Sequence, residues 1–521
     1  MNRSLLAMSL FLSCAVSSAM AQIPVDKVEV YPRASAARKS GKFLVEVQVP
    51  NLATTPPSLQ WVDAEAYQYG RRSVDWQYSP KQIPYVHWAT IGIEHSARVR
   101  VTDVNPTSAT TAFNFQPSRY ATRVVTSGNE AEFTIERGQN LAIVTDNQVV
   151  DTLFVFANPP AEQAPALSDP DTLHFLAGES FIGFRRIAPN IRTVYFHPGS
   201  WVIGTLNLTD ALAVGTVKIR GPGVLSGEFE DWENVRYLPF SATRPYMLIH
   251  TDQAPPGPLN NPVLIDGPTL VASPFYNLEL GAVRGLKTIR NVHILSPWTY
   301  NTDAFNVGTH AEIRNCFAFN NDDTIPGEYA KTAAPTDSLA LEVSECVFGG
   351  RNSFLIGYGY FNNVATGHAR ITNCDILMQR LRLASNDYGY IPFRAQVDAA
   401  PTGVIVENQI YKDIRIDGSV ERLFDLRLDQ TQWGWNDPAF PDVNGEDPPN
   451  APIYGNIRAI LFENIELTGT QWTKSEIHGY NSANNVTNVE FRNLVINGTR
   501  VTSANYLTFF NVGPTVQVRF Q

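Results

Sequence analysis

Three observations in the 521-residue sequence predict an all-β protein, a β-sandwich followed by a parallel β-helix. Short alternating apolar and polar runs fill the first part of the chain. A four-residue pattern then recurs along the rest at irregular intervals near the length of one β-helix coil. Residues 190–521 contain no convincing amphipathic run of helical length, which disfavours a doubly wound α/β fold.

The first element is a leader. Residues 1–21, "MNRSLLAMSLFLSCAVSSAMA", place Arg3 before an apolar stretch, Leu5 to Val16, and end in Ala19-Met20-Ala21. That pattern is an export signal with a small-residue cleavage site. The expected mature protein is soluble, secreted or periplasmic, and no later apolar run is long enough to span a bilayer. The formal charge is −10 without a basic stripe, which excludes a nucleic-acid binder. The same acidity opposes the approach of a polyanionic substrate.

Residues 22–165 form the sandwich. "FLVEVQVP", "SARVRVTDV" and "EAEFTIE" alternate cleanly, and Gly, Pro, Asn and Ser separate them. "ANPPAEQAPALSDPD", residues 157–171, is the linker candidate.

Residues 166–521 form the β-helix. "IRNV" (289–292), "IRNC" (313–316), "VSEC" (343–346), "ITNC" (371–374), "YKDI" (411–414), "FENI" (462–465) and "FRNL" (491–494) repeat one pattern. Asn291 and Asn315 are 24 residues apart, Glu345 and Asn373 are 28, and Asn464 and Asn493 are 29. Asn tolerates left-handed backbone and so suits a tight corner between short strands. Gaps such as 374–410 and 415–461 are expected to be loops thrown out from a coil. Cys316, Cys346 and Cys374 hold one position of successive coils, which predicts a buried ladder of free thiols, not a catalytic cysteine. No CxxC pair supports a zinc site.

The chemistry-bearing stretch is "NTDAFNVGTHAEIRNCFAFNNDDTI", residues 301–325. Asp303 precedes Asp322 and Asp323 by 19 and 20 residues, slightly less than a coil. Successive coils lie roughly 5 Å apart, so this spacing brings three carboxylates to one ridge. Close carboxylates push one another's proton affinities apart, as acid–base hydrolysis of a glycosidic bond requires. Isolated Asp residues at coil corners would merely cap turns; three in this spacing, with Asn301, Asn320 and Asn321 beside them, favour catalysis.

"NTD…NNDD" on a β-helix resembles the polygalacturonase clan of glycoside hydrolases, and within it family 49, the dextranases and isopullulanases. The resemblance implies a right-handed β-helix behind a β-sandwich. It also implies that Asp322 is the acid, with Asp303 and Asp323 as water-activating bases. The pectin-cleaving relatives carry Gly-His-Gly and Arg-Ile-Lys; this chain has only "TGHA" (366–369) and no Arg-Ile-Lys. His368 is therefore expected to be a non-catalytic histidine, and a neutral α-glucan is the expected substrate. Candidate sugar contacts are Tyr358, Asn301, Asn321, Trp433 and Trp435.

The resulting expectation is an inverting endo-hydrolase of the α-1,6 linkages of dextran. It would act as a monomer on polysaccharide, with no metal, cofactor, nucleic-acid or membrane partner. Pullulan hydrolysis, pectin hydrolysis and a non-catalytic polysaccharide-binding β-helix remain alternatives.

Overall fold

Phe43, Val45 and Val47 are buried while Leu44, Glu46 and Gln48 between them are half-exposed, so strand Phe43–Asn51 buries one face. The computed structural model in which this is seen describes residues 27–51, 58–70, 85–106, 110–146, 151–230, 246–252, 255–299, 301–308, 310–326, 341–350, 354–358, 366–377, 391–397, 404–428 and 455–521. The leader lies outside them. Among the described residues no helix is long and apolar enough to cross a membrane.

Phe43–Asn51 belongs to a five-stranded antiparallel sheet with Ser58–Asp63, Ser96–Asp103, Glu130–Glu136 and Thr122–Ser127. Opposite it lies a six-stranded sheet built on Tyr85–Ile93, Asp151–Asn158 and Asn140–Thr145. Here the burial does not alternate. Every residue of Asp151–Asn158 after Asp151 is buried, and so is every residue of Tyr85–Ile93 after Tyr85. A strand covered on both faces reads as a continuous apolar run. This sheet has the sandwich core on one face and the rest of the protein on the other.

From Thr172 onward the pairing is parallel, except in the short hairpin of Val495–Ile496 with Thr499–Arg500, and the strands wind into a right-handed parallel β-helix. Interior rows run coil to coil in register. One passes from Ile219 through Ile265, Ile289, Ile313, Val343 and Ile371 to Tyr411, Phe462, Phe491 and Phe520. Its last rings stack nearly parallel: Phe462 and Phe491 at 5.0 Å and 9°, Phe491 and Phe520 at 4.9 Å and 6°. Next to this row Cys316, Cys346 and Cys374 are buried and free. Burial pushes the thiols of Cys346 and Cys374 well above the ordinary range.

The recurring Asn, Asp or Glu occupies the corner beside these rows. Asn291, Asn315, Glu345, Asn373, Asp413, Asn464 and Asn493 all have φ between 51° and 57°. Their side chains also bond along the axis: Asn315 Nδ2 donates to Asn291 Oδ1 (2.8 Å), and Asn493 Nδ2 to Asn464 Oδ1 (3.0 Å).

The long gaps expected as loops are described only in part, since 378–390, 398–403 and 429–454 lie outside the described residues. The stretch 374–410 holds strands Asp375–Leu377 and Ile391–Val397, and 415–461 holds Phe424–Leu428 and the start of Gly455–Thr468. These described strands belong to the ladder, and from Ile325 onward a separate six-stranded parallel sheet runs beside the large one. That sheet is Ile325–Pro326, Phe354–Tyr358, Ile391–Val397, Phe424–Leu428, Ser475–His478 and Phe510–Val512.

The six-stranded face of the sandwich packs on the outer side of helix strands His293–Ser296 and Phe317–Asn320. Phe154 meets Phe317 at 4.9 Å and Phe319 at 5.3 Å, and Phe156 stacks on His293 at 3.9 Å and 4°. Buried Asp375 of the helix accepts from Arg119 and Tyr120 of the sandwich and from Arg415 of the next coil. These cations hold its carboxyl below the usual range despite burial, which raises it.

Candidate active site

The three carboxylates lie where the chain enters Phe305–Asn306, a strand of the large helix sheet, and Ile325–Pro326, the first strand of the six-stranded helix sheet. Ala304 N–H donates to Asp323 O (3.0 Å), and Phe305 N–H to Thr324 O (2.9 Å). This parallel register sets Asp303 directly against Asp323 on the next coil. Side chains in register on neighbouring parallel strands point the same way, so the 20-residue interval does bring these two together. Asp303 is 7% exposed, and Asp322 and Asp323 are half-buried.

Asp322 is tethered separately. Its Oδ2 accepts from the Asn301 N–H and its Oδ1 from the Asp323 N–H, both at 2.9 Å. Asn301 reaches Asp322 from the preceding coil with φ of 56°, the conformation in which Asn is favoured over most residues.

Buried polar residues brace this arrangement. Thr302 Oγ donates to Ser296 O (2.8 Å) and accepts the Asn321 N–H (3.0 Å), joining the two coils. Asn277, one coil earlier, donates through Nδ2 to Thr302 O and Asp303 O (3.1 Å each), and its Oδ1 accepts from Ser296 Oγ (2.8 Å). Asn320 Nδ2 donates to the carbonyls of Asp322 (2.6 Å) and Asp323 (3.2 Å). Thr302, Asn277 and Asn320 are all fully buried. The main chain on either side of the carboxylates is thus pinned, which fixes where the three side chains start.

The other sequence candidates fall in different places. Asn301 is half-buried at the ridge, whereas Asn321 is wholly buried and belongs to the bracing. Ile325 pairs with Ile356, so the residue two before it, Asp323, faces Phe354. Tyr358 lies four residues further, roughly 13 Å along the strand, and its side chain lies outside the described residues. Trp433 and Trp435 lie outside them altogether. His368 is exposed at φ of 60° on strand Thr366–Thr372, in register with neither Phe305–Asn306 nor Ile325–Pro326. Among the described residues, no group of three His, Cys, Asp or Glu side chains is arranged to hold a metal ion.

Sequence reasoning missed Thr302, Asn277 and Tyr276. Tyr276 falls in the row of Asp303 one coil earlier, because Asn277 N–H donates to Asp303 O (2.8 Å) just as Ala304 N–H donates to Asp323 O. The interval of 27 residues from Tyr276 to Asp303 would have been the signal, but no recurring corner marks that coil on this side.

Comparison with known proteins places the fold. No family model matches the sequence, and no curated protein matches it. Among solved structures, Dex49A from Penicillium minioluteum superposes with a TM-score of 0.62 at 15% identity, over 92% of this chain and 94% of that one. An endo-xylogalacturonan hydrolase from Aspergillus tubingensis covers 67% of this chain at 12% identity, with a TM-score of only 0.32. The sandwich followed by a right-handed parallel β-helix is thus a fold this chain shares with Dex49A across nearly its whole length.

Proposed function

We propose that this protein is an inverting glycoside hydrolase that cleaves the α-1,6 linkages of dextran within the chain. The observation that carries the reading is the register of Asp303 against Asp323 with Asp322 tethered beside them. Two carboxylates pointing the same way from adjacent coils form a seat for one water. Asp303 and Asp323 orient that water and take its proton. Asp322 protonates the departing glycosidic oxygen from the other side, and the water attacks the anomeric carbon opposite the leaving group. The family 49 resemblance of "NTD…NNDD" and the fold shared with Dex49A support both the class and these roles.

A neutral glucan fits an acidic chain that lacks the Arg-Ile-Lys of the pectin-cleaving relatives. The test is reducing-sugar release from dextran, pullulan and polygalacturonate, with wild type and Asp322→Asn. Dextran is expected to be cut fastest. The variant should lose at least roughly a thousandfold in rate with an unchanged circular dichroism spectrum. Faster cleavage of pullulan would shift the substrate and keep the mechanism. An Asp322→Asn enzyme of wild-type rate would remove the acid role, and polymer binding without reducing ends would show a binding protein.

A further inference from the structure

Strand Gly178–Arg186 carries two large apolar side chains in solvent, Phe181 at 71% and Phe184 at 49% exposure. Residues three apart on a regular strand face opposite ways. These two face the same way, because an irregularity between Phe181 and Gly183 adds one residue against the partner strand. Gly183, at φ of 55°, supplies the left-handed turn such a bulge uses. Both rings then close on Phe229, Phe181 at 6.0 Å and Phe184 at 5.2 Å, and Phe184 also meets Tyr246 edge-on at 5.2 Å. An exposed cluster built by a strand irregularity departs from the usual scatter of single surface apolar residues.

The cluster lies one residue off the row of Asp303, toward the amino-terminal end of the same stack of coils. Phe184 pairs with Thr205. The hydrogen bonds Leu206 N–H to Leu248 O, Ile249 N–H to Asn277 O and Leu278 N–H to Ala304 O continue that row through Leu248 and Asn277 to Ala304, the residue after Asp303. At roughly 4.8 Å per coil, Phe184 stands about 19 Å from Asp303 along the helix axis, and Asp322 and Asp323 lie one coil beyond. Between them lie Tyr246 and Tyr276, both half-buried, and Tyr276 stacks on Phe275 at 4.3 Å.

From this row we infer that Phe181, Phe184, Phe229 and Tyr246 form a distal platform that holds a polysaccharide chain laid along the helix axis. The inference rests on the function proposed above, and it adds where the polymer is held and on which side of the cleavage point. Pyranose rings present apolar C–H faces that stack on aromatic rings, and a chain spanning about 19 Å engages both ends of the row. A short oligosaccharide at the carboxylates would not reach the platform.

The test compares wild type with the Phe181→Ala/Phe184→Ala double variant and with Phe181→Tyr/Phe184→Tyr. Mobility is measured in native gels containing dextran, alongside hydrolysis of isomaltotriose and sedimentation velocity. The Ala pair should lose roughly tenfold in apparent dextran affinity and keep its isomaltotriose rate, while the Tyr pair behaves as wild type. Equal retardation of all three proteins would overturn the platform, even where dextran is still cut. So would a change in sedimentation in place of retardation, which would mark a self-association surface. Retention by dextran without cleavage, lost in the Ala pair, would keep the platform and sink the hydrolytic reading.

Discussion

Thr302 shows how much of a site can depend on a residue that touches no substrate. Its hydroxyl donates to one coil and accepts the Asn321 N–H of the next, and it sits between Asn301 and Asp303, fully buried. Thr302→Val keeps the shape but leaves the Asn321 N–H without its acceptor, which costs about 1–3 kcal/mol. The expected result is a fall in kcat of roughly ten- to a hundredfold with little change in KM, because displaced carboxylates weaken the transition state more than the bound ground state. Thr302→Ser should restore most of the rate. Equal losses in kcat and in thermal stability for both variants would reduce Thr302 to a structural role. The juxtaposition of Asp303 with Asp323 was legible because their spacing is nearly one coil. Thr302 and Asn277 were not, since a buried Thr or Asn carries no pattern until register says which coils it joins. Asn321 shows the opposite error, a residue noted beside the carboxylates whose side chain the fold turns inward.

The corner asparagines are the element that repeats. Asn464, at φ of 55°, donates to Asp413 (2.7 Å) and accepts from Asn493 (3.0 Å). Asn464→Gly keeps the backbone conformation and loses the ladder, a cost of about 1 kcal/mol. Asn464→Ala adds left-handed strain of roughly 1–2 kcal/mol and should be the less stable of the two in urea melts. The reverse order would show that side-chain bonding alone selects Asn here. The cysteine row gives a second check at this scale. Cys316, Cys346 and Cys374 should be unreactive to thiol reagent in the native protein and titrate as free thiols in denaturant. These elements could be read from sequence because each coil repeats the same corner. The six-stranded helix sheet could not, because its strands shrink to two residues in Ile325–Pro326 and three in Phe510–Val512. Strands that short have no periodicity.

At the scale of the whole molecule, the sandwich is held to the helix across a buried seam, and the continuous apolar runs "VHWATIGI" and "TLFVFAN" were its trace in the sequence. His293 sits in that seam, stacked on Phe156 with Nε2 3.1 Å from Asn158 Oδ1. Burial pushes it down to about 3, and His250 down to about 4, against an ordinary value of about 6.5. Both are neutral in the fold and gain a proton on unfolding. The stability they contribute is therefore complete above about pH 6.5 and declines as pH falls through the window to about 4 and then 3, by at most roughly 1.4 kcal/mol per pH unit for each group. Urea midpoints should fall over that window, and His293→Gln should flatten the slope. An unchanged slope would place the acid sensitivity elsewhere.

The account as a whole depends on a water, not a side chain, attacking the anomeric carbon from the Asp303–Asp323 seat. Proton NMR of the first product released from dextran, recorded before mutarotation, tests that directly. The account predicts the β-anomer. Release of the α-anomer would mean that an aspartate is the nucleophile, and would contradict the roles assigned to all three carboxylates.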